Sequence, residues 1–187
     1  LVKLIKSAEF NDRPNGDKKT RSIIWFNLSA EREIIEGVLT KAGISYLVIA
    51  GGEKDIGGKV NTFNKDPSYQ FLLCQAKTIN YGVTVMGTSD DDLDIDWVPE
   101  FDPLVSDEIF YSLNFSLEVY LQQQDRIHRI GQTRECRYWI LLTNSPLERK
   151  IADRLENKLI CNREILVDIL NSFKGEGLIE NNVEEFS

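Results

Sequence analysis

An arginine-containing segment has the residue types and spacing best suited to phosphate chemistry. Residues 122–132 read Gln-Gln-Gln-Asp-Arg-Ile-His-Arg-Ile-Gly-Gln, with Arg126 and Arg129 three positions apart. On a helix this spacing puts both side chains on one face, where Gln122 lies one turn before Arg126. A guanidinium is a permanently charged, planar fork that matches phosphate oxygens. The segment is therefore a candidate phosphate site, although charge alone favours a solvated basic helix.

A second candidate follows an apolar run and resembles a phosphate-binding loop. Gly52 and Gly57 have the spacing of P-loop glycines, but Gly58 displaces Lys59, and Val60 occupies the place of the magnesium-binding Ser or Thr. A turn between a strand and a helix is therefore the favoured interpretation. The missing hydroxyl argues against an enzyme that binds and hydrolyses a nucleotide with this chain alone.

Charge is unevenly distributed along the chain. Lys and Arg number 22 against 30 Asp and Glu, a net charge of −8, and no basic residue lies between Lys77 and Arg126. The alternating carboxylates at Asp92, Asp94 and Asp96 do not continue as a calcium loop, because residues 97 and 103 are Trp and Pro where Gly and Glu are required. We therefore expect a solvated, metal-free acidic insertion at about residues 86–108.

Length and composition limit the class of protein. The chain has 187 residues, of which 42% are hydrophobic and 28% charged, as in a globular domain. Its apolar runs are much shorter than the roughly 18 residues of a membrane helix, so no membrane association is expected. The cysteines, at 74, 136 and 161, form no CxxC pair, which predicts a reducing, intracellular location. The sequence begins with Leu and not with Met, which suggests that the chain is part of a longer protein.

Short apolar runs alternate with segments of helical periodicity. We predict strands at 21–26, 44–49, 70–74, 109–113 and 136–142, and helices at 29–42, 55–63, from 116, from 145 and at 162–173. Ser29 and Ser116 are expected to begin helices, and Ser145 to Glu148 has the pattern of a capping box. The alternation predicts an α/β sandwich with a mainly parallel sheet and helices on both faces.

The exact string around the two arginines resembles a known motif. Gln122-x-x-Asp125-Arg126-x-His128-Arg129-Ile130-Gly131-Gln132 is similar to motif six of the Swi/Snf-type branch of superfamily-two helicases and translocases. Residues 22–27 resemble motif four and residues 71–82 resemble motif five, in the family's order. The resemblance covers about residues 20–160 and implies a second RecA-like lobe at 1–175, followed by a flexible acidic tail at 176–187.

The resemblance also implies roles for individual residues. Such enzymes hold ATP between two RecA-like lobes, and the first lobe of the same parent chain would carry the P-loop and the Mg²⁺ ligands. Arg129 would be the arginine finger, with Arg126 its partner on the γ-phosphate. Gln122 and Asp125 would orient these groups, and Gly82 of motif five would lie near the nucleotide.

DNA, single- or double-stranded, would be held mainly through its phosphates and without sequence preference. The residues expected on that face are Asn27, Ser29, Lys77 and Thr78, next to the unpaired amides that begin a helix. The alternative function is a RecA-like module that binds nucleic acid or protein without using ATP. A P-loop upstream of Leu1 would distinguish the two.

Overall fold

The computed structural model describes residues 1–11, 21–78, 85, 105–128, 132 and 134–175. In chain order the elements are α1 (Val2–Ile5), α2 (Ala8–Asn11), β1 (Arg21–Phe26), α3 (Ser29–Lys41), β2 (Tyr46–Ile49), α4 (Ile56–Lys65), β3 (Phe71–Gln75), β4 (Val105–Phe110), α5 (Leu117–Gln124), β5 (Arg137–Ile140) and α6 (Pro146–Gly175). Predictions about Gly82, Arg129, residues 86–104 and the tail at 176–187 fall outside the described residues. Among those described, no helix is long and apolar enough to cross a bilayer.

Five strands form one sheet in the order β2-β3-β1-β4-β5, and each pair of neighbours is parallel. All six residues of β1 are buried, as expected for a central strand that is covered on both faces. The predicted parallel α/β sandwich is therefore confirmed. The carboxyl edge of the sheet, where its parallel strands end, brings together the residues that follow β1, β2, β3 and β4.

Helices cover both faces of this sheet. On one face α1, α2 and α3 pack over Ile24, Leu73 and Ile109, with Ile35 and Leu39 of α3 fully buried. On the other, α4, α5 and α6 pack over Ile23, Trp25, Leu72 and Phe110. Ile34, one position before Ile35 in α3, is by contrast 56% exposed. α3 ends at Lys41, and Gly43 follows two residues later with a φ of +66°, which suits glycine.

The acidic insertion ends earlier than predicted, because β4 begins at Val105 and includes Asp107 and Glu108. Both carboxylates have no exposed surface, so the expectation that they belong to a solvated excursion is wrong. Asp107 Oδ1 accepts hydrogen bonds from Arg137 Nε at 2.8 Å and Trp139 Nε1 at 3.0 Å. Arg137 also donates to the carbonyl of Phe10 at 2.8 Å, so this pair ties α2 to the sheet.

The last two predicted helices are a single element. Between Pro146 and Gly175 the backbone remains helical for 30 residues, and the break expected at 162 is absent. The predicted capping box is also different. Ser145 Oγ accepts from the N–H of Leu147 at 3.3 Å, but the Glu148 carboxylate accepts from Thr143 N–H and Oγ1, both at 2.7 Å, instead of from Ser145.

Arg21 anchors the start of β1 to the connection between α4 and β3. Its buried guanidinium donates to the carbonyl of Tyr69 at 2.8 Å and of Asp66 at 2.9 Å, and lies 4.0 Å from the centre of the Phe63 ring. Burial lowers the pKa of Arg21 to about 10, which still leaves the side chain charged at neutral pH. The charge is matched by backbone carbonyl dipoles.

Candidate functional site

A hydrogen-bonded polar network joins the carboxyl ends of β1 and β4. Asn27, directly after β1, donates through Nδ2 to Ser112 Oγ at 2.8 Å and accepts at Oδ1 from Asn114 Nδ2 at 3.2 Å. Both ends of the Asn27 amide are thus occupied within the protein. Asn27 therefore connects the residues that follow β1 to those that follow β4 and holds them in fixed positions.

Glu31 caps the start of α3 in place of Ser29. Its Oε2 accepts from the N–H groups of Asn27 at 2.8 Å and Leu28 at 3.0 Å, and from Ser112 Oγ at 2.9 Å. The prediction that Ser29 is the capping residue is therefore wrong, since Ser29 is the first residue of the helix and is exposed. The carboxylate stabilises the positive end of the helix dipole, and its negative charge competes with a phosphate for Asn27 and Leu28.

Gln75, the last residue of β3, connects the network to the turn that follows β2. Its Nε2 donates to the carbonyl of Asn27 at 3.1 Å, and its Oε1 accepts from the N–H of Gly51 at 2.8 Å. Lys77 is exposed just beyond it, and Thr78 is half-buried, with its N–H donating to the carbonyl of Gln75 at 2.9 Å. The structure thus brings together the four residues expected to face DNA, with Lys77 and Ser29 the more exposed of them.

An open, polar cleft of about 370 Å³ lies beside this network, at the end of β2. Its lining includes the Gly51–Gly52 turn and three basic residues, Arg32, Lys54 and Lys59. Lys59 Nζ contacts the carboxylate of Glu53 and donates to the carbonyl of Val48 at 2.9 Å. The hydrogen bond from Lys59 lowers the pKa of Glu53. Lys59 is therefore engaged as a structural cation, which fits the predicted strand-to-helix turn and not a phosphate loop.

Motif six begins on α5, whose first turn is capped by Ser116 as predicted, with Oγ accepting from Val119 N–H at 3.3 Å. Gln122 is partly exposed and donates to Glu118 Oε1 at 3.2 Å, whereas Asp125 ends the helix and is exposed. Arg126 differs from these, because its side chain is only 4% exposed. Arg126 therefore points into the protein core.

Glu108 of β4 is the acidic residue that shares this core region with Arg126. It is fully buried on the face of the sheet that α5 covers, near Trp25 and Cys74. Burial raises the pKa of the Glu108 carboxyl, while the Trp25 indole and the Arg126 charge oppose that rise. Burial likewise raises the pKa of the Cys74 thiol. Sequence reasoning missed Glu108, although a carboxylate directly before the apolar pair Ile109 and Phe110 was the available signal.

The Asn27 network and the last residue of motif six lie at different ends of β4. The network contacts Ser112, just after β4 ends, whereas Gln132 Nε2 donates to the carbonyl of Val105, where β4 begins, at 3.0 Å. The structure therefore does not bring the residues predicted to face DNA and Gln132 into one site, and Arg129 lies outside the described residues.

Comparison with known proteins gives consistent matches, although no family model matches the chain. It is 28% identical over 153 residues to the DNA repair and recombination protein RDH54 of Saccharomyces cerevisiae, which covers 80% of this chain and 15% of that protein. It is 28% identical over 148 residues to the ISWI chromatin-remodeling complex ATPase CHR17 of Arabidopsis thaliana, covering 76% of this chain and 12% of that protein. The chain thus spans less than a sixth of these curated relatives.

Among solved structures, the C-terminal part of the Fun30 ATPase domain superposes with a TM-score of 0.61 and 21% identity. The match covers 74% of this chain and 40% of that one, and it supports the RecA-like fold. The parallel sheet, the motif order and the relatives agree with one another. The chain therefore resembles the C-terminal RecA-like lobe of Swi/Snf-type superfamily-two ATPases in its fold and in the order of its motifs, and the resemblance evident in its sequence is confirmed.

Proposed function

We propose that this chain is the second lobe of an ATP-dependent DNA translocase, in which it supplies the arginine finger and part of the DNA-binding face. The observation that carries the proposal is the motif-six string, which starts on α5 and whose last residue, Gln132, donates to the carbonyl of Val105 at the start of β4. Relatives named as a DNA repair protein and a chromatin-remodeling ATPase support DNA as the substrate.

ATP, when bound, supplies the phosphoryl group and the free energy for movement along DNA. The described residues of this chain fit a supporting part in that reaction, because Gln122 and Asp125 lie accessible at the end of α5 while Lys59 is already paired with Glu53. Among them no cluster of His, Cys, Asp or Glu could hold a metal ion. We therefore assign the phosphate loop and the Mg²⁺ ligands to a first lobe of the same protein.

Arg129 would act in that site by stabilising charge. A phosphoryl-transfer transition state spreads negative charge over equatorial oxygens, and a positioned guanidinium lowers its energy. Arg126 would contribute from the interior, where it shares the core with Glu108. The resemblance implied that Arg126 contacts the γ-phosphate directly. In this proposal Arg126 instead supports the residues that make that contact.

The 187-residue chain alone is expected to fold but not to hydrolyse ATP. Its sheet and both hydrophobic cores are internal to the chain, whereas the phosphate loop belongs to the other lobe in this proposal. Circular dichroism and a colorimetric phosphate assay, with and without DNA, test the two halves of this expectation. DNA-stimulated turnover by the purified chain that persists through successive purification steps would contradict the two-lobe assignment.

Binding of DNA is expected to depend on Lys77 through phosphate contacts. Lys77→Ala should weaken binding of the full-length protein about equally for unrelated sequences and reduce the slope of log K against log salt concentration by about 1. Lys41→Ala is the matched control, because Lys41 is exposed at the last turn of α3, away from the carboxyl edge. Fluorescence anisotropy at several salt concentrations measures both quantities. An equal slope for wild type and Lys77→Ala would remove Lys77 from the DNA face.

The second candidate function is a RecA-like binding module that needs no ATP. The burial of Arg126 favours it, since an arginine that is only 4% exposed is not presented to a ligand. An ATPase assay of the full-length protein with DNA distinguishes the two functions, because the binding module would have no ATPase activity.

A further inference from the structure

The side chain of Gln75 connects loops that follow two different strands at the carboxyl edge of the sheet. Gln75 is the last residue of β3, which lies between β2 and β1. Its Nε2 donates to the carbonyl of Asn27, after β1, at 3.1 Å, and its Oε1 accepts from the N–H of Gly51, after β2, at 2.8 Å. One amide group therefore links the ends of both neighbouring strands to the end of β3.

The turn that follows Gln75 is attached to the same residue. The N–H of Thr78 donates to the backbone carbonyl of Gln75 at 2.9 Å, and Thr78 Oγ1 donates to Gln75 Oε1 at 3.5 Å. The N–H of Ala76 donates to the carbonyl of Phe26 at 2.9 Å, so the turn is also bonded to the end of β1. Lys77, exposed at the centre of this turn, is therefore carried by a backbone that is held on both sides.

The hydrogen bonds of the Gln75 side chain require an amide in one orientation. Asn27 offers a carbonyl acceptor and Gly51 offers an N–H donor, so the nitrogen and the oxygen of the amide cannot exchange places. Met, of similar length, would make neither hydrogen bond, and Asn, one methylene shorter, would not span both partners. The fit to Gly51 is close, because a Cβ at residue 51 would lie 3.3 Å from Gln75 Oε1.

We propose that Gln75 is a positioning residue for DNA binding, which holds the loops after β1 and β2 in place beside the turn that carries Lys77. This inference rests on the proposed function, because Lys77 contacts a DNA phosphate only under that proposal. Gln75 itself is half-buried, and both ends of its amide bond to protein groups. It therefore acts through the position of Lys77 and not through a contact of its own with DNA.

Loss of the Gln75 amide should weaken DNA binding in a way that depends on Lys77. In the full-length protein Gln75→Met should raise Kd for a DNA duplex about five- to tenfold and bring the slope of log K against log salt concentration toward that of Lys77→Ala. In a Lys77→Ala background the same substitution should change Kd less than about twofold, because the effects of residues in one hydrogen-bond network are not additive. A merely structural role would weaken binding equally in both backgrounds.

The test uses the full-length protein, a labelled DNA duplex and fluorescence anisotropy at several salt concentrations. Gln75→Met and Gln75→Asn are compared with Gln70→Met, a matched control directly before β3, at the opposite end of the same strand. The asparagine variant serves if methionine at 75 disturbs folding. Hydrogen exchange of the peptide spanning 49–53 reports whether the N–H of Gly51 has lost its acceptor.

The inference is supported if both Gln75 variants bind DNA more weakly, exchange faster in 49–53 and lose their effect in the Lys77→Ala background, while Gln70→Met resembles wild type. Unchanged Kd, unchanged exchange, an equal effect in both backgrounds or an equal loss in Gln70→Met would overturn the inference and leave the proposed function standing. A wild-type protein that does not bind DNA would overturn the proposed function and the positioning role of Gln75 together.

Discussion

Replacing Arg129 with alanine in the full-length protein is expected to lower kcat for DNA-stimulated ATP hydrolysis about 10³- to 10⁵-fold, the usual contribution of an arginine finger. A finger meets charge that develops in the transition state, so the affinity for ATP should remain nearly intact. Arg129→Lys should be nearly as inactive, because an ammonium cannot reproduce the two-pronged guanidinium. Steady-state ATPase rates beside nucleotide-binding titrations measure both effects.

Alanine variants of two further arginines serve as comparisons in this experiment. Arg154, exposed on α6, is the control, and Arg154→Ala should keep most of the activity. Arg126→Ala should also lose activity, but with a lower Tm, because it removes a buried cation from the neighbourhood of Glu108. Wild-type rates for Arg129→Ala would refute the finger assignment and favour the module that needs no ATP.

Removing the carboxylate of Asp107 is expected to destabilise this lobe more than any surface change. Asp107→Ala leaves the Arg137 guanidinium, whose side chain is 17% exposed, without its anion and deprives Trp139 Nε1 of its acceptor. Breaking such a buried pair from one side costs about 3 to 5 kcal/mol, against about 5 to 15 kcal/mol for the whole stability of a domain.

Thermal and urea denaturation of the 187-residue chain measure this loss. For a chain of this size we expect Tm to fall by about 6 to 20 °C. Asp107→Asn keeps an oxygen acceptor and should lose less. Asp153→Ala, exposed on α6, should stay within about 0.5 kcal/mol of wild type. A Tm for Asp107→Ala that matches the Asp153 control would show that the pair is unimportant for stability.

The sheet could be predicted because its strands are short and nearly continuous in apolar residues. The run from Ser22 to Phe26 is buried on both faces, and the alternation of strands with helices left a parallel sheet as the simple solution. Helix ends that depend on local signals, such as Ser116 and Gly43, were also predictable. The motif-six residues were recognisable because their types and spacing are specific.

The features that escaped prediction depend on contacts distant in sequence. Asp107 and Glu108 followed an acidic segment and were grouped with it, because the partner of Asp107 lies 30 residues later. Glu31 displaced Ser29 as the cap because Ser112, 81 residues away, holds the same carboxylate. The single α6 was divided in two at Asn162, although neither Pro nor Gly interrupts the chain between Leu147 and Lys174.

The strand order also bears on how the protein is made. Within this chain β1 and β2 are synthesised before the other strands, but they are not neighbours in the sheet, and β3 must be inserted between them before either gains a partner. Until then the nascent chain carries two strands with unpaired edges and the apolar side chains of β1, which invites aggregation. This arrangement favours slow folding of residues 21–70 during synthesis, independently of any motor activity.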